Sequence, residues 1–371
     1  MEVSIIIPVF NGEKYIINTL NSVFNQTVRP SNIVVVDDGS TDASLDIVKG
    51  CSGVQLLQNP GDGPNTARNH GFRHTDADAV AFLDQDDLWH PEHLERLSEL
   101  LQEHSSSPAA FAQKTTFHDG ECPEYSTGRS GVKQYDPWEG FPKNTLGEPA
   151  LALIRSSALG SADGWSSEYE GCSDYHMWLK LALQGPLVVS ESATAGHRIH
   201  GNSYGDTLRR RKVIEYYSRH VNASEDAIKR RRRKGGMSVD EYESLLEAQR
   251  ASRQLLQFLL VEDCRIATAA RQIDESLSHK SRKSLIQMWD ILRWYSGPYI
   301  EEVGIHRFAA RVLDVVDRWP DTDSHFRNLL RDWAFERTPA RALIKRYPCR
   351  PSCWKHLMHR GYHRAGARAR L

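Results

Sequence analysis

The sequence predicts an α/β domain with a mostly parallel central sheet and flanking helices, followed by a mainly α-helical C-terminal region. Three observations carry that reading. Short β-branched runs alternate with amphipathic stretches through the first two hundred residues, acidic turns close two of those runs, and after about Gly205 strand-like runs vanish while helical periodicity persists. The expected division is therefore 1–205 for the α/β domain and 206–371 for the helical one.

Val3 to Val9 is nearly all apolar, as a strand buried on both faces should be. Glu13 to Gln26 follows as a helix, with Ile16, Ile17, Leu20, Val23 and Phe24 on one stripe. Ile33 to Val36 is a second buried strand, ended by Asp37-Asp38-Gly39-Ser40, and Thr41-Asp42 open a helix to Val48. Val54 to Leu57, a helix around Thr66 to Arg73, the strand Ala79 to Leu83 and a helix from near Pro91 continue the alternation. From Phe117 to Pro149 periodicity is lost in a Gly- and Pro-containing stretch with Tyr125, Tyr135, Trp138 and Phe141. Those aromatics favour a functional excursion over a site. Ser173 to Leu183 predicts a helix and Leu187 to Ser190 a strand. Beyond Gly205 the helical stretches are Leu208 to Arg219, Val239 to Val261, Ser284 to Tyr295, Ile305 to Trp319 and Phe326 to Trp333. The basic cluster Lys229 to Lys234 reads as a solvated turn between helices.

The chain has 371 residues and a formal net charge of -1, with 40% hydrophobic and 26% charged residues, a mix that excludes collagen-like, mucin-like and wholly disordered classes. The neutral total hides an asymmetry. Residues 337–371 hold ten Lys or Arg and no acid, against 37 basic and 48 acidic residues elsewhere. A basic tail on an acidic body points to an anionic partner: lipid headgroups, nucleic acid or the protein's own acidic face. No apolar run approaches the ~18 residues of a membrane span, and Met1-Glu2 lacks a basic leader. The expected location is the cytoplasm, with peripheral contact at the inner face of a membrane through the tail. The six scattered cysteines are expected to be reduced thiols. Cys349, Cys353, His356, His359 and His363 have enough ligands for zinc, but a basic amphipathic surface segment is the default. Its Trp354, Leu357, Met358 and Tyr362 would suit an anionic bilayer.

Two strand tips are acidic: Val34-Val-Val-Asp37-Asp38-Gly39-Ser40, and Phe82-Leu83-Asp84-Gln85-Asp86-Asp87. Neither carries the glycine-rich loop that cradles a pyrophosphate. Carboxylates there would repel a phosphate unless a divalent cation stands between, which calls for Mn2+ or Mg2+. Capping of the next helix would need one Asp, not three.

Taken together, the motifs resemble the family 2 inverting glycosyltransferases of GT-A fold. The resemblance rests on Pro8-Val9-Phe10-Asn11, on Val36 to Asp42, on Ala67-Arg68-Asn69-His70-Gly71 and on the F-L-D-x-D-D segment, in order, over roughly the first 200 residues. It implies that Pro8, Phe10 and Asn11 line the nucleotide pocket. Asp38 would accept from a base N–H with Asp37 supporting its loop, and Arg68 would lie by base and phosphate. Asp84 and Asp86 match the D-x-D, with the metal on Asp86 or Asp87 and His200 completing its shell. Arg198 shares a face with His200 as a second candidate for phosphate. Asp174 takes the general-base position at the start of a late helix, where the family's preceding Glu is replaced by Ser173.

The implied reaction is metal-dependent transfer of a sugar, hexosyl in type, from a nucleoside-diphosphate donor (a UDP-sugar first) by single displacement with inversion. The acceptor stays open among saccharide, lipid-linked and peptide nucleophiles. Acceptor binding or homo-oligomer formation falls to the helical region by elimination. Two alternatives stand: a nucleotidyltransferase of related fold, and an inactive transferase domain serving as a scaffold or nucleic-acid binder.

Overall fold

The computed structural model describes residues 1–127, 131–138, 144, 146–200, 213–235, 238, 240–243 and 245. Nine strands form one sheet in the order β3-β2-β1-β4-β8-β6-β9-β5, with β7 paired to β9. β1 (Val3–Val9) is buried along its whole length, which explains its lack of alternation. It runs parallel to β2 (Asn32–Asp37) and β4 (Ala79–Phe82), and β2 runs parallel to β3 (Gln55–Gln58). The rest of the sheet is mixed. β8 (Ala152–Arg155) is antiparallel to both β4 and β6 (Ala109–His118), whereas β6 and β9 (Leu187–Ile199) are parallel. The short β5 (Leu88–Trp89) and β7 (Val132–Tyr135) pair antiparallel with β9.

The chain winds one way from β1 to β2 and β3, then returns to the other side of β1 as β4. This reversal opens a crevice at the strands' carboxyl ends. Both acidic turns therefore meet on one rim. Helices α1 (Ile16–Phe24), α2 (Ser44–Lys49) and α3 (Pro64–Phe72) make the crossovers. In α3 the glycine of the Ala67–Gly71 motif has a packing reason. A methyl at Gly71 would lie 2.6 Å from Ile6 Cγ2 and 3.2 Å from Val36 Cγ2, so only glycine lets the helix sit this close to β1 and β2.

Helices α4 (His93–Glu103) and α5 (Ser156–Ser161) precede α6 (Ser173–Ala182), which is buried on almost every side. Its Trp178 packs edge-on against Phe111 and Trp165, with centroids at 4.8 and 5.8 Å. Lys180 Nζ donates to the Ala162 and Gly164 carbonyls at 2.6 Å each, and burial pushes this amine down to about 8. α7 (Val213–Lys234) lies on α6. Tyr175 stacks on His220 with centroids 4.4 Å apart and planes 10° apart, and His176 Nε2 meets Asp226 at 2.8 Å.

The first compact unit therefore extends over Met1–Gln249, beyond the change of sequence character near Gly205. The basic cluster is not a turn between helices: Arg231 to Lys234 form the last turn of α7, and several of its cations have partners within the chain. Arg230 pairs with Asp226 and Asp163, Arg231 lies over the Trp138 ring and pairs with Glu241, and Arg232 lies over Tyr242. Four strands, β5 to β8, escape the sequence reading, and a fifth, β9, is longer than expected. β6 is alanine- and threonine-rich, and β9 runs nine residues past the expected Ser190 through small and polar side chains. Of the Phe117–Pro149 excursion, residues 132–135 are strand. The helical readings from Ser284 onward, the cysteine-histidine cluster and the basic tail lie outside the described residues, among which no helix is long and apolar enough to cross a membrane.

Candidate active site

Three turns at the carboxyl ends of β1, β2 and β4 build one rim of the crevice. Pro8 is buried near the end of β1, in register with Val36, while the Phe10 ring is 53% exposed just beyond the strand. Asn11 adopts φ 49°, a left-handed conformation that asparagine tolerates, and its Oδ1 accepts from the Thr41 N–H at 2.8 Å. Its side chain thus joins the β1 turn to the β2 turn. Asp37 is buried and accepts from the Ser40 and Gly39 amides and from Gln58 Nε2, which fixes the turn. Asp38 is half-buried; both oxygens face the Gly63 N–H, at 3.1 and 2.9 Å, and Asn59 Nδ2 donates to Oδ1 at 2.6 Å.

Arg68 is buried rather than displayed. Its Nη2 meets Asp84 Oδ1 at 2.5 Å, its Nη1 donates to Asn65 Oδ1 at 3.1 Å, and its guanidinium lies 5.3 Å from the Trp165 ring centre. It reaches the crevice through Asp84. Asn65 is a residue the sequence did not single out, and the Ser173 hydroxyl also donates to its Oδ1 at 3.0 Å. A continuous hydrogen-bonded chain thus runs from Asp84 through Arg68 and Asn65 to the first residue of α6.

Asp174 follows directly in the first turn of α6, where the helix dipole favours a carboxylate. It does not cap the helix, since α6 begins one residue earlier, and Ser173 is turned to Asn65. Asp174 Oδ1 accepts from the Tyr175 amide and Oδ2 from Asn144 Nδ2, both at 2.8 Å. Burial pushes this carboxyl up to about 7; the Tyr175 amide and the Arg68 charge oppose the rise and the Glu148 charge adds to it. Glu148 pairs with Lys114, and its buried Oε2 has no hydrogen-bond partner among the described residues. It stands one residue past Gly147, whose carbonyl accepts from Trp178 Nε1 at 2.9 Å. No sequence signal marked Glu148, because it ends the aperiodic excursion.

The acidic motif splits in two. Asp86 Oδ2 faces His200 Nε2 at 2.7 Å, and that hydrogen bond raises the His200 pKa. Asp87 points the other way. It is 3% exposed, accepts from the Arg198 N–H at 3.0 Å and meets His197 Nδ1 at 3.2 Å. Burial pushes the proton off His197, but Asp87 and then Glu148 outweigh burial and lift it to about 9. Arg198 is held between the Tyr15 and Phe117 rings and donates to the Asp86 carbonyl at 2.9 Å. It therefore braces the acidic turn from below. Among the described residues, no group of three or more His, Cys, Asp or Glu side chains is arranged to hold a metal ion.

Residues 4–160 match the family model described as glycosyl transferase family 2. An uncharacterised glycosyltransferase of Nostoc sp. is 37% identical over 107 residues, which is 28% of this chain and 33% of that protein. The chondroitin synthase of Pasteurella multocida is 25% identical over 261 residues, 67% of this chain and 25% of that protein. The chain thus spans a third or less of the length of both. Among solved structures, TarS 1–349 of S. aureus in complex with UDP-GlcNAc superposes with a TM-score of 0.58 at 18% identity, covering 90% of this chain and 91% of that one. The fold is GT-A.

Proposed function

With an N-terminal domain of glycosyl transferase family 2 as premise, we propose that this protein transfers a sugar from a nucleoside-diphosphate donor to an acceptor nucleophile, with inversion, using Asp174 as general base. One observation carries the reading: the hydrogen-bonded chain Asp84–Arg68–Asn65–Ser173, which couples the donor-side carboxylate to the helix turn that presents Asp174. A displacement needs these two groups in one rigid frame, on opposite sides of the reacting carbon.

The donor is a UDP-sugar. Support comes from the shared fold of TarS, which has been crystallised with UDP and with UDP-GlcNAc, and from the exposed Phe10 ring one residue past Val9, whose carbonyl accepts from the Asp38 N–H at 2.8 Å. Asp38 orders the Gly63 turn, and its carboxylate oxygens have further lone pairs with which to accept a base N–H. A half-buried carboxylate whose pKa is raised to about 7 is half ionised near neutrality, so Asp174 can take the acceptor's proton and release it again.

The residues also fit a divalent cation. Asp86 and His200 bring an oxygen and a nitrogen donor together, a mixed set that suits Mn2+ better than the oxygen-preferring Mg2+, and two protein ligands suffice where the substrate's phosphates supply others. Bound there, the ion would neutralise the diphosphate leaving group. Asp87 does not belong to that set, because its oxygens serve Arg198 and His197.

The test is a panel of sugar nucleotides incubated with the protein and Mn2+. Release of UDP, increased by a saccharide, lipid-linked or peptide acceptor, is expected. No nucleotide release from any donor would favour an inactive scaffold, and pyrophosphate release from a nucleoside triphosphate would favour the nucleotidyltransferase.

A further inference from the structure

The acidic turn contains one side chain that the transfer itself does not use. Gln85 lies between Asp84 and Asp86, and its amide is spent on the backbone of a single residue across the crevice. Gln85 Oε1 accepts the Phe10 N–H at 2.8 Å, and Gln85 Nε2 donates to the Phe10 carbonyl at 3.0 Å. A primary amide that meets both polar groups of one residue fixes its position and its orientation together, as a neighbouring strand would. Gln85 is itself anchored, because the buried Thr19 hydroxyl donates to its carbonyl at 2.7 Å and lies 3.0 Å from the Asp87 carbonyl.

The Phe10 ring therefore projects from a main chain that cannot shift without breaking the amide pair. Gly12 leaves room for that pair. A methyl at Gly12 would lie 2.8 Å from Gln85 Cδ and closer still to Oε1, so a side chain there evicts the amide. Three positions two or more residues apart in their motifs thus form one device: a ring, an amide and a gap.

We propose that Gln85 is a positioning residue that ties the base-binding tip of β1 to the phosphate-binding tip of β4, so that Phe10 is fixed before the nucleotide arrives. The proposal rests on the donor-site reading above. Its consequence is preorganisation: the nucleotide meets a turn already ordered, and the ordering cost does not weaken binding.

Gln85→Met keeps the length of the side chain and removes both hydrogen bonds. Titration of UDP into the full chain with Mn2+ present is expected to give about tenfold weaker binding in this variant, the scale of fixing one residue's backbone at the moment of binding. Its melting temperature should change little, and its Phe10 amide should exchange faster with deuterated water. Gly12→Ala should weaken UDP binding by a similar factor in the wild-type background. In a Gln85→Ala background, where the new methyl meets no amide, Gly12→Ala should add less than about twofold. Equal UDP affinity in Gln85→Met and wild type, or Gly12→Ala and Gln85→Ala effects that simply multiply, would overturn the proposal. A wild-type protein that binds no UDP would defeat the donor reading instead. The tie between the two tips would then stand or fall on Phe10 amide exchange in Gln85→Met, an unchanged rate overturning it.

Discussion

Replacing Asp174 by Asn should nearly abolish transfer and at the same time make the protein more stable at pH 8. Burial lifts this carboxyl from its ordinary 3.8 to about 7. The unfolded chain ionises near 3.8 and the folded one near 7, so the group's contribution to stability is fully present below the lower value. It is lost as pH rises to the upper one. The complete loss corresponds to about 4 kcal/mol, and partial solvent access at the crevice brings this to about 2 kcal/mol. Asparagine resembles the protonated acid in shape and hydrogen bonding, so Asp174→Asn escapes the loss. Thermal melts of both proteins should diverge between about pH 4 and 7 and then run parallel, with the variant about 5 °C higher on the plateau. Steady-state assays of the same samples should show kcat reduced by about 10²–10⁴ with donor binding preserved. Wild-type activity should rise with pH through about 7 as the base ionises. Melting curves that keep a constant separation from pH 5 to 8 would refute a carboxyl with a raised pKa at this position. Normal turnover by Asp174→Asn would remove it from the mechanism.

Further outcomes follow from the same geometry. Transfer should stop in EDTA and return with Mn2+ or Mg2+, and Asp86→Asn should lose that response with a near-normal melting temperature; full activity in chelator would dismiss the cation. Asp87→Asn should behave in the opposite way, lowering the melting temperature because the Arg198 amide and His197 lose a charged partner, by about 1–3 kcal/mol in stability. Gly71→Ala should destabilise by about 1–3 kcal/mol through the clash with Ile6, measured by urea titration. Asp226→Ala should leave His176 and Arg230 without their shared carboxylate, lowering both the melting temperature and kcat while leaving UDP affinity unchanged.

The acidic rim of the crevice was legible in the sequence because its signals are local. A buried strand followed at once by carboxylates places those carboxylates at a strand tip, and β1, β2 and β4 each supply such a tip or flank one. The individual roles were less legible, since they depend on neighbours far away in the chain. Asp86 and Asp87 are adjacent, yet opposite faces of one turn send the first to His200 and the second to Arg198 and His197. Arg68 reads as a residue beside base and phosphate, and nothing local in the sequence marks Trp165 and Asp84 as the groups that enclose it. Glu148 and Asn144 gave no signal, because they end an aperiodic stretch and act only once α6 is packed beside them. β6 and the outer part of β9 were missed for a compositional reason. Alanine, serine and threonine earn their strand conformation from the pairing between those two strands and not from intrinsic preference.

The grip of α7 on α6 bears on how such domains can be recombined. Tyr175 and His176, the two residues after Asp174, face His220 and Asp226 of a helix that begins after the family resemblance has ended. A chimera joined at residue 205 would pair the helix presenting Asp174 with a foreign helix, uncovering a buried histidine and a buried tyrosine at the foot of the proposed transfer centre. A junction beyond Lys234 would carry its own brace with it. Chimeras of such domains should therefore fold with the later junction and fail with the earlier one, even though the earlier one looks cleaner in the sequence.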